Sequence, residues 1–211
     1  MASKPAAGIS GRVAIVGMGC TPFREHWDKG TDDLMIDAAK ETYWAQDDAE
    51  RDKIVAAIIG TGADVVGLLE IENDGYGTAS AIQSLVNALN AVAGAGTYAF
   101  VNPGTSALGG DEIAVGMLYK PAKVSLMGAP AILDSSVDPR FDSSVQRPSL
   151  AQTFRETSTG ELFTPVINHL KSKGSGCYEN GDGKTEPADL QGKCTEFRVS
   201  AAKVLGEAVS K

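Results

Sequence analysis

The sequence is poor in cysteine, histidine and aromatic residues. Among its 211 residues there are three cysteines and two histidines, and aromatic residues make up 6%. Three cysteines are too few for a disulfide scaffold, and no Cys-x-x-Cys pair or histidine cluster indicates a zinc site. Any metal bound by this chain would therefore be held by oxygen atoms.

Long apolar runs are also missing. No run approaches the roughly 20 residues that a membrane-spanning helix needs. The opening residues, Met1 to Gly8, lack the apolar core of a signal peptide. From these two absences we expect no membrane segment and, for the chain as written, a cytoplasmic protein.

Basic residues are fewer than acidic ones, 19 against 27, which gives a formal net charge of -8. A broad basic face for gripping nucleic acid is disfavoured, since neutralising phosphates requires clustered Lys and Arg. A divalent cation could still bridge acidic side chains to a phosphate. With 43% hydrophobic and 22% charged residues, the chain has the composition of one ordinary globular domain.

Periodic apolar residues predict a mixed α/β protein with packed layers. Strands are predicted at 12–17, 64–71, 113–119, 124–127, 149–154 and 162–167, and helices within 31–43, 54–59, 81–92 and 196–210. A loop rich in Gly and Asp is predicted from 174 to 192. The charged patch 47–53 is interpreted as the junction between two parts of the chain.

Four segments, in the family's order, resemble the endonuclease/exonuclease/phosphatase family, and in particular secreted bacterial nucleases of the ExeM and NucH type. The segments run from Ala63 to Gly75 (ADVVGLLEIENDG), from Gly109 to Pro121 (GGDEIAVGMLYKP), from Asp138 to Pro148 with its Asp-Pro-Arg-Phe-Asp and Gln-Arg-Pro motifs, and from Val166 to Gly174 (VINHLKSKG). The resemblance covers about residues 47–211.

The resemblance implies a deoxyribonuclease I-like fold, in which two β-sheets form a sandwich flanked by helices, here incomplete. It also implies hydrolysis of a phosphodiester by water with Mg²⁺ or Mn²⁺ as cofactor and nucleic acid as substrate. Proteins of this type are secreted.

The resemblance assigns roles to particular side chains. It implies that Glu70 is a metal ligand and that His169 contacts the scissile phosphate or moves protons. Arg147 would lie near the phosphate backbone, Asn168 would be a donor beside the phosphate, and the carboxylate of Glu112 would orient His169.

Each of these residues also has a plain structural interpretation. Glu70 could be a solvated strand end, and a lone histidine is more often a hydrogen-bonded structural residue than a catalyst. Arg147 could be a surface charge, and Glu112 could be the polar start of a strand. In favour of function, Lys171 and Lys173 follow His169 and add donors for a bound phosphate.

Residues 1–46 resemble a different family. The run from Gly11 to Phe23, with Asp32-Asp33-Leu34-Met35 after it, is similar to the amino-terminal strand and helix of thiolase-like acyl-CoA transferases. Cys20 does not occupy the position of that family's nucleophile. The turn at Gly17-Met18-Gly19 is no dinucleotide fingerprint, because Pro22 stands where the third glycine belongs.

The family's remaining site motifs, an Asn in the first strand followed later by Gly-Asp-x-Asn and Ser-Asp-His, are not found. We therefore expect a truncated nuclease-type domain of low or no activity. The alternatives are a catalytically dead folding or binding unit and an acyl-CoA-binding protein of thiolase-like origin.

Three further expectations concern binding and assembly. Cys177 and Cys194 bracket the Gly/Asp-rich loop, and because the resembling enzymes are secreted we expect them to form a disulfide. The stretch Asn180 to Gly183 could bind Ca²⁺ weakly. Sheet edges left unpaired in a partial sandwich could cause self-association.

Overall fold

The computed structural model describes residues 13–15, 48–173, 177 and 192–210. In chain order the elements are β1 (Val13–Ile15), α1 (Asp48–Thr61), β2 (Val65–Glu72), α2 (Ala81–Ala93), β3 (Ala99–Phe100), β4 (Ile113–Tyr119), β5 (Val124–Leu133), β6 (Ser149–Glu156), β7 (Leu162–Phe163), β8 (Val166–Ile167) and α3 (Thr195–Val209). None of the described helices is both long enough and apolar enough to cross a bilayer.

The strands form two sheets. The first has the order β1-β2-β4-β3; β1 runs parallel to β2, whereas the other neighbours are antiparallel. In the second sheet β6 pairs with β5 on one side and with β7 and β8 on the other, all antiparallel. The predicted mixed α/β architecture with two sheets is confirmed.

A shared apolar core holds the two sheets face to face. It contains Val65 and Met117 from the first sheet and Leu150, Phe154 and Ile167 from the second. Each of these side chains is at most 7% exposed. Because burial of such a side chain contributes about 1.5–3 kcal/mol, this core is a main source of the sandwich's stability.

The opposite face of the first sheet is covered by α1 and α2, because successive strand residues point to opposite sides. Val66 and Leu118, each next to a residue of the shared core, pack there against the helices. The helix α2 begins at a strong cap, where the Ser80 Oγ accepts from the backbone N–H of Gln83. It ends at Gly94, whose φ of 105° suits glycine.

The helix α3 lies beside the second sheet. Ala201 and Val204 on α3 pack against Leu133 and Phe141. The predicted pairing of Cys177 with Cys194 is present as a disulfide, with Cα atoms 5.9 Å apart. This link fastens Cys177 to the start of α3.

Several boundaries differ from those expected. The charged patch interpreted as a junction is, from residue 48 onward, the first half of α1. The strand expected at 162–167 is divided at Thr164 and Pro165 into β7 and β8, since proline cannot donate to a ladder. β5 continues to Leu133, and the two-residue β3 was not predicted.

Other expectations fall on residues outside those described. They include the helix within 31–43, the Gly17-Met18-Gly19 turn, Cys20 and the weak Ca²⁺ stretch at 180–183. Of the thiolase-like segment the structure describes only β1, which lies inside the strand expected at 12–17.

The two sheets approach closely where Gly67 of β2 faces Ile167 of β8. A Cβ atom added at Gly67 would lie 2.5 Å from Cδ1 of Ile167. We predict that Gly67→Ala lowers the free energy of unfolding by about 1–2 kcal/mol, because the buried isoleucine must shift. Urea unfolding followed by circular dichroism measures this change.

Gly60→Ala is the matched control, because nothing lies within 4 Å of a Cβ atom at this position in α1. It should raise the free energy of unfolding by up to about 1 kcal/mol, since alanine favours helix. Adding Ile167→Val to Gly67→Ala should recover part of the loss. Equal stability of the two glycine variants would contradict this account of the sheet contact.

Candidate functional site

Glu70 lies in a β-bulge near the end of β2. Leu68 pairs with Gly116 and Ile71 pairs with Ala114, so β2 has one more residue than β4 across this interval. Glu70 takes a φ of 60°, and among the described non-glycine residues only Cys194 also has a positive φ. Such a bulge bends the strand and changes the direction of a side chain.

The redirected carboxylate faces His169, which follows β8 in the second sheet. Oε1 of Glu70 is 3.6 Å from Nε2 of His169, and their side chains are 24% and 19% exposed. This distance is too long for a hydrogen bond, and the two side chains lie next to each other in a half-buried setting. Residues from both sheets thus meet at one end of the sandwich.

Arg147, which precedes β6, completes the group. Its Nη1 is 3.3 Å from Nδ1 of His169, and its Nη2 forms an ion pair of 2.8 Å with Oδ2 of Asp111. The guanidinium is largely buried, and its Nε has no hydrogen-bond acceptor within the described part of the chain. Glu70, Asp111, Arg147 and His169 are called the junction cluster below.

Asp111 is held in place by Asn73, a residue not singled out from the sequence. The Asn73 Nδ2 donates to the backbone carbonyls of Leu108, Gly109 and Asp111 at 3.3, 3.3 and 2.9 Å. Its Oδ1 accepts from the N–H of Leu108 at 2.8 Å. One amide therefore fixes the loop that carries Asp111, immediately before β4.

The role of Glu112 in orienting His169 stays a prediction. No hydrogen bond or ion pair joins the Glu112 side chain to His169 among the residues described, and the carboxylate that reaches the junction cluster belongs to Asp111. Glu112 is exposed, and its charge instead contributes to raising the pKa of Glu72.

Asn168 has a structural contact. Its Oδ1 accepts from the Ser149 hydroxyl, and its Nδ2 donates to the Val166 carbonyl at 3.0 Å. The contact with Ser149 joins the end of β8 to the start of β6, and the contact with Val166 lies within the β8 segment itself. This contact fixes the strand end that presents His169.

Burial and, second to it, the positive charge of Arg147 lower the pKa of His169 to about 4, against an opposing contribution from Asp111. The imidazole is therefore neutral at pH 7. Since Arg147 Nη1 can only donate, a ring that accepts at Nδ1 carries its proton on Nε2, the atom facing Glu70.

Burial also raises the pKa of Glu70, an effect reduced by Arg147 and increased by Asp111. The carboxylate is thus poorly solvated and would gain from a nearby cation. No group of three or more His, Cys, Asp or Glu side chains suited to a metal ion occurs among the described residues. A divalent cation here would have Glu70 as its protein ligand and would take other oxygens from water or substrate.

No protein-family model matches the chain, and no curated protein sequence matches it significantly. A solved endonuclease/exonuclease/phosphatase family protein from Bacteroides thetaiotaomicron matches with a TM-score of 0.51 and 15% identity, over 83% of this chain and 53% of that one.

Two further solved structures are similar over smaller parts. The human Nocturnin catalytic domain gives a TM-score of 0.44 at 15% identity, over 76% of this chain and 49% of its own. ANGEL2, described as a 2',3'-cyclic phosphatase, gives 0.39 at 16% identity, over 68% of this chain and 36% of its own.

The Bacteroides structure establishes the fold. The chain has the fold expected from the resemblance, a deoxyribonuclease I-like sandwich of two sheets flanked by helices. It spans about half the length of that structure, 53%. At 15% identity the match concerns fold alone.

The junction cluster predicts an unusual titration of His169. In metal-free protein with EDTA, its imidazole should titrate near pH 4, because burial and Arg147 disfavour the charged ring. Arg147→Gln should raise that pKa toward the ordinary value of about 6.5. NMR chemical shifts of the ring protons, followed from pH 3 to 8, measure both.

Arg155→Gln is the control, since Arg155 is an exposed arginine on β6 and this substitution should leave the pKa of His169 unchanged.

The pH dependence of stability gives a second measurement of the same pKa. The pKa of His169 is lower in the folded chain than in the unfolded chain, so the unfolded chain takes up the proton first as the pH falls. The free energy of unfolding therefore decreases between about pH 6.5 and pH 4, by up to about 3 kcal/mol. An ordinary pKa for His169 in the wild type would show that the ring is not enclosed as described.

Proposed function

We propose that this chain is part of a metal-assisted phosphodiester hydrolase that acts on nucleic acid. Glu70 would hold Mg²⁺ or Mn²⁺, and His169 and Arg147 would face the phosphate. The observation that carries the proposal is the positive-φ bulge that brings the Glu70 carboxylate to 3.6 Å from Nε2 of His169.

The bulge favours function over a plain strand end. A non-glycine residue in the left-handed region costs on the order of 1–3 kcal/mol and persists where the surrounding structure enforces it. A solvated glutamate at the end of a strand would need no such conformation. Here the strained backbone directs a half-buried carboxylate toward an imidazole and a guanidinium.

The cation, when bound, would polarise a phosphoryl oxygen and lower the pKa of a coordinated water. His169, neutral at pH 7, would donate from Nε2 to a phosphate oxygen and would not act as a strong acid. Arg147 would add positive charge beside the phosphate and hold the imidazole through Nη1. Asp111 and Asn73 would keep that arginine in position.

The disulfide supports an oxidising location. Cystine bridges persist in secreted and periplasmic proteins and are rare in the cytosol. The bond between Cys177 and Cys194 therefore favours the secreted alternative over the cytoplasmic one. We include an extracytoplasmic site of action in the proposal.

We expect hydrolysis to be far slower than in a complete enzyme of this fold. The sequence contains neither Gly-Asp-x-Asn nor Ser-Asp-His. In groups that act jointly, loss of one member can cost several orders of magnitude. The purified, oxidised chain should hydrolyse plasmid DNA and bis-p-nitrophenyl phosphate only weakly with Mg²⁺ or Mn²⁺.

His169→Ala is the contamination control for this assay. Weak turnover that is lost in His169→Ala supports the hydrolase, and turnover unchanged by the substitution comes from a contaminant. Binding of phosphodiester without any turnover would favour the alternative of a binding unit. Vigorous turnover that His169→Ala removes would show that the site is complete by another route.

Glu70 should bind Mn²⁺ weakly. Because one carboxylate makes a poor site for a hard cation, we expect a dissociation constant on the order of a millimolar. In Glu70→Gln, Mn²⁺ should no longer broaden the NMR signals near residue 70. Glu161→Gln, at an exposed glutamate, is the matched control. Identical broadening in wild type and Glu70→Gln would exclude Glu70 as a ligand.

A further inference from the structure

The segment that carries His169 lies outside the sheets. The strand β8 ends at Ile167, and residues 168–173 belong to no strand or helix. A ladder of strand hydrogen bonds therefore does not fix this backbone, and its polar groups bond to partners of other kinds. The position of the imidazole depends on those partners.

Two contacts bracket His169 along the chain. Before it, the amide of Asn168 accepts from the Ser149 hydroxyl. After it, the backbone N–H of Lys171 donates to Oε1 of Gln146 at 2.8 Å. The imidazole thus lies between two fastened points, and both fastening side chains belong to the stretch that leads into β6.

Gln146 is a buried polar residue with both ends of its amide bonded. It is 3% exposed, and besides accepting from Lys171 it donates from Nε2 to the Phe197 carbonyl, in the first turn of α3, at 2.7 Å. A backbone N–H only donates and a carbonyl only accepts, so the two partners fix which way the amide is turned. One side chain therefore joins α3 to the backbone that follows His169.

The residues after Gln146 reach neighbouring parts of the same site. Arg147 contacts the imidazole of His169. Pro148 packs against Gly109, where an added Cβ atom would lie 2.6 Å from the proline Cδ. Gly109 belongs to the loop that carries the carboxylate partner of Arg147. A shift at Gln146 would therefore act on the ring and on its surroundings together.

A second buried glutamine provides a comparison. Gln152 on β6 is 1% exposed, and its Nε2 donates to the backbone carbonyls of Met127 and Thr153 at 3.3 and 2.7 Å. These partners lie on β5 and β6, and neither belongs to the junction cluster. Loss of either amide should destabilise the fold, because buried backbone groups lose a partner. The structure gives only Gln146 a connection to His169.

We propose that Gln146 is a positioning residue of the junction cluster, whose amide holds the His169 ring beside the Glu70 carboxylate and links that arrangement to α3. Its effect on hydrolysis rests on the proposed function. Its effect on the geometry of the cluster does not, so the two can be measured separately.

The test compares Gln146→Met with the wild type, as the full oxidised chain in EDTA at pH 7. Methionine is an unbranched side chain without the amide. In the wild type, nuclear Overhauser effects should connect the His169 ring protons to the side-chain protons of Glu70. Gln146→Met should lose them, because Lys171 is no longer held by the amide. His169→Ala identifies the ring signals by their absence.

Gln152→Met is the matched control. Both methionine variants should unfold at a lower urea concentration than the wild type, since each loses the hydrogen bonds of a buried amide. Gln152→Met should nevertheless keep the Overhauser effects between His169 and Glu70. Gln146→Glu should keep them as well, because a carboxyl oxygen can accept the Lys171 N–H as the amide oxygen does.

Hydrolysis of bis-p-nitrophenyl phosphate with Mn²⁺ gives a second readout. Gln146→Met should lower kcat about tenfold or more and leave KM within about twofold, because a misplaced group weakens the reaction step more than binding. Gln152→Met, assayed where it is fully folded, should leave both constants near those of the wild type.

The outcomes separate the positioning role from the proposed function. Overhauser effects that persist in Gln146→Met, or that disappear equally in Gln152→Met, would overturn the positioning role. Where Gln146→Met does not fold, Gln146→Asn decides by the same signals, since its shorter amide cannot keep both bonds. Loss confined to the Gln146 variant, in a protein without metal-dependent hydrolysis, would support the positioning role and overturn the proposed function.

Discussion

The close approach of the two sheets at Gly67 and Ile167 is the constraint on which the site depends. Gly67 precedes Glu70 by three residues, and Ile167 precedes His169 by two. With no Cβ atom at Gly67, the Ile167 side chain packs against the backbone of β2. A larger residue there would force the buried Ile167 side chain to shift, close to the strand ends that carry the carboxylate and the imidazole.

A buried arginine forms the second constraint. Placing the Arg147 guanidinium in a mostly enclosed position costs free energy unless its charge is paired. Asp111 supplies the pairing charge, and Asn73 fixes the loop that presents Asp111. Burial, and second to it the same cation, lowers the pKa of His169 and leaves the ring neutral at pH 7. Position and protonation in the junction cluster are therefore set together, and neither can be changed without the other.

The sequence predicted the main strands and α2 and named three members of the junction cluster, Glu70, Arg147 and His169, but it could not predict how they meet. Apolar periodicity located the strand around residues 64–71. It does not reveal the bulge, because an extra residue in one strand is recognised only when its pairing with the neighbouring strand is known. For the same reason it could not distinguish Asp111 from Glu112. Asn73 was missed because its role consists of contacts to a loop 35 to 38 residues away.

The acidic composition is compatible with the proposed phosphate site. Net charge describes the whole surface, whereas binding of a phosphate depends on the charges next to it. A net charge of -8 describes the whole surface, where salt screens charges beyond about 8–10 Å. Inside a half-buried cleft screening is weaker, so Arg147 and Lys171 act strongly on a nearby group. Average charge thus argues against a broad basic face along a nucleic acid. It leaves room for the short, enclosed contact with a phosphate that is proposed for the junction cluster.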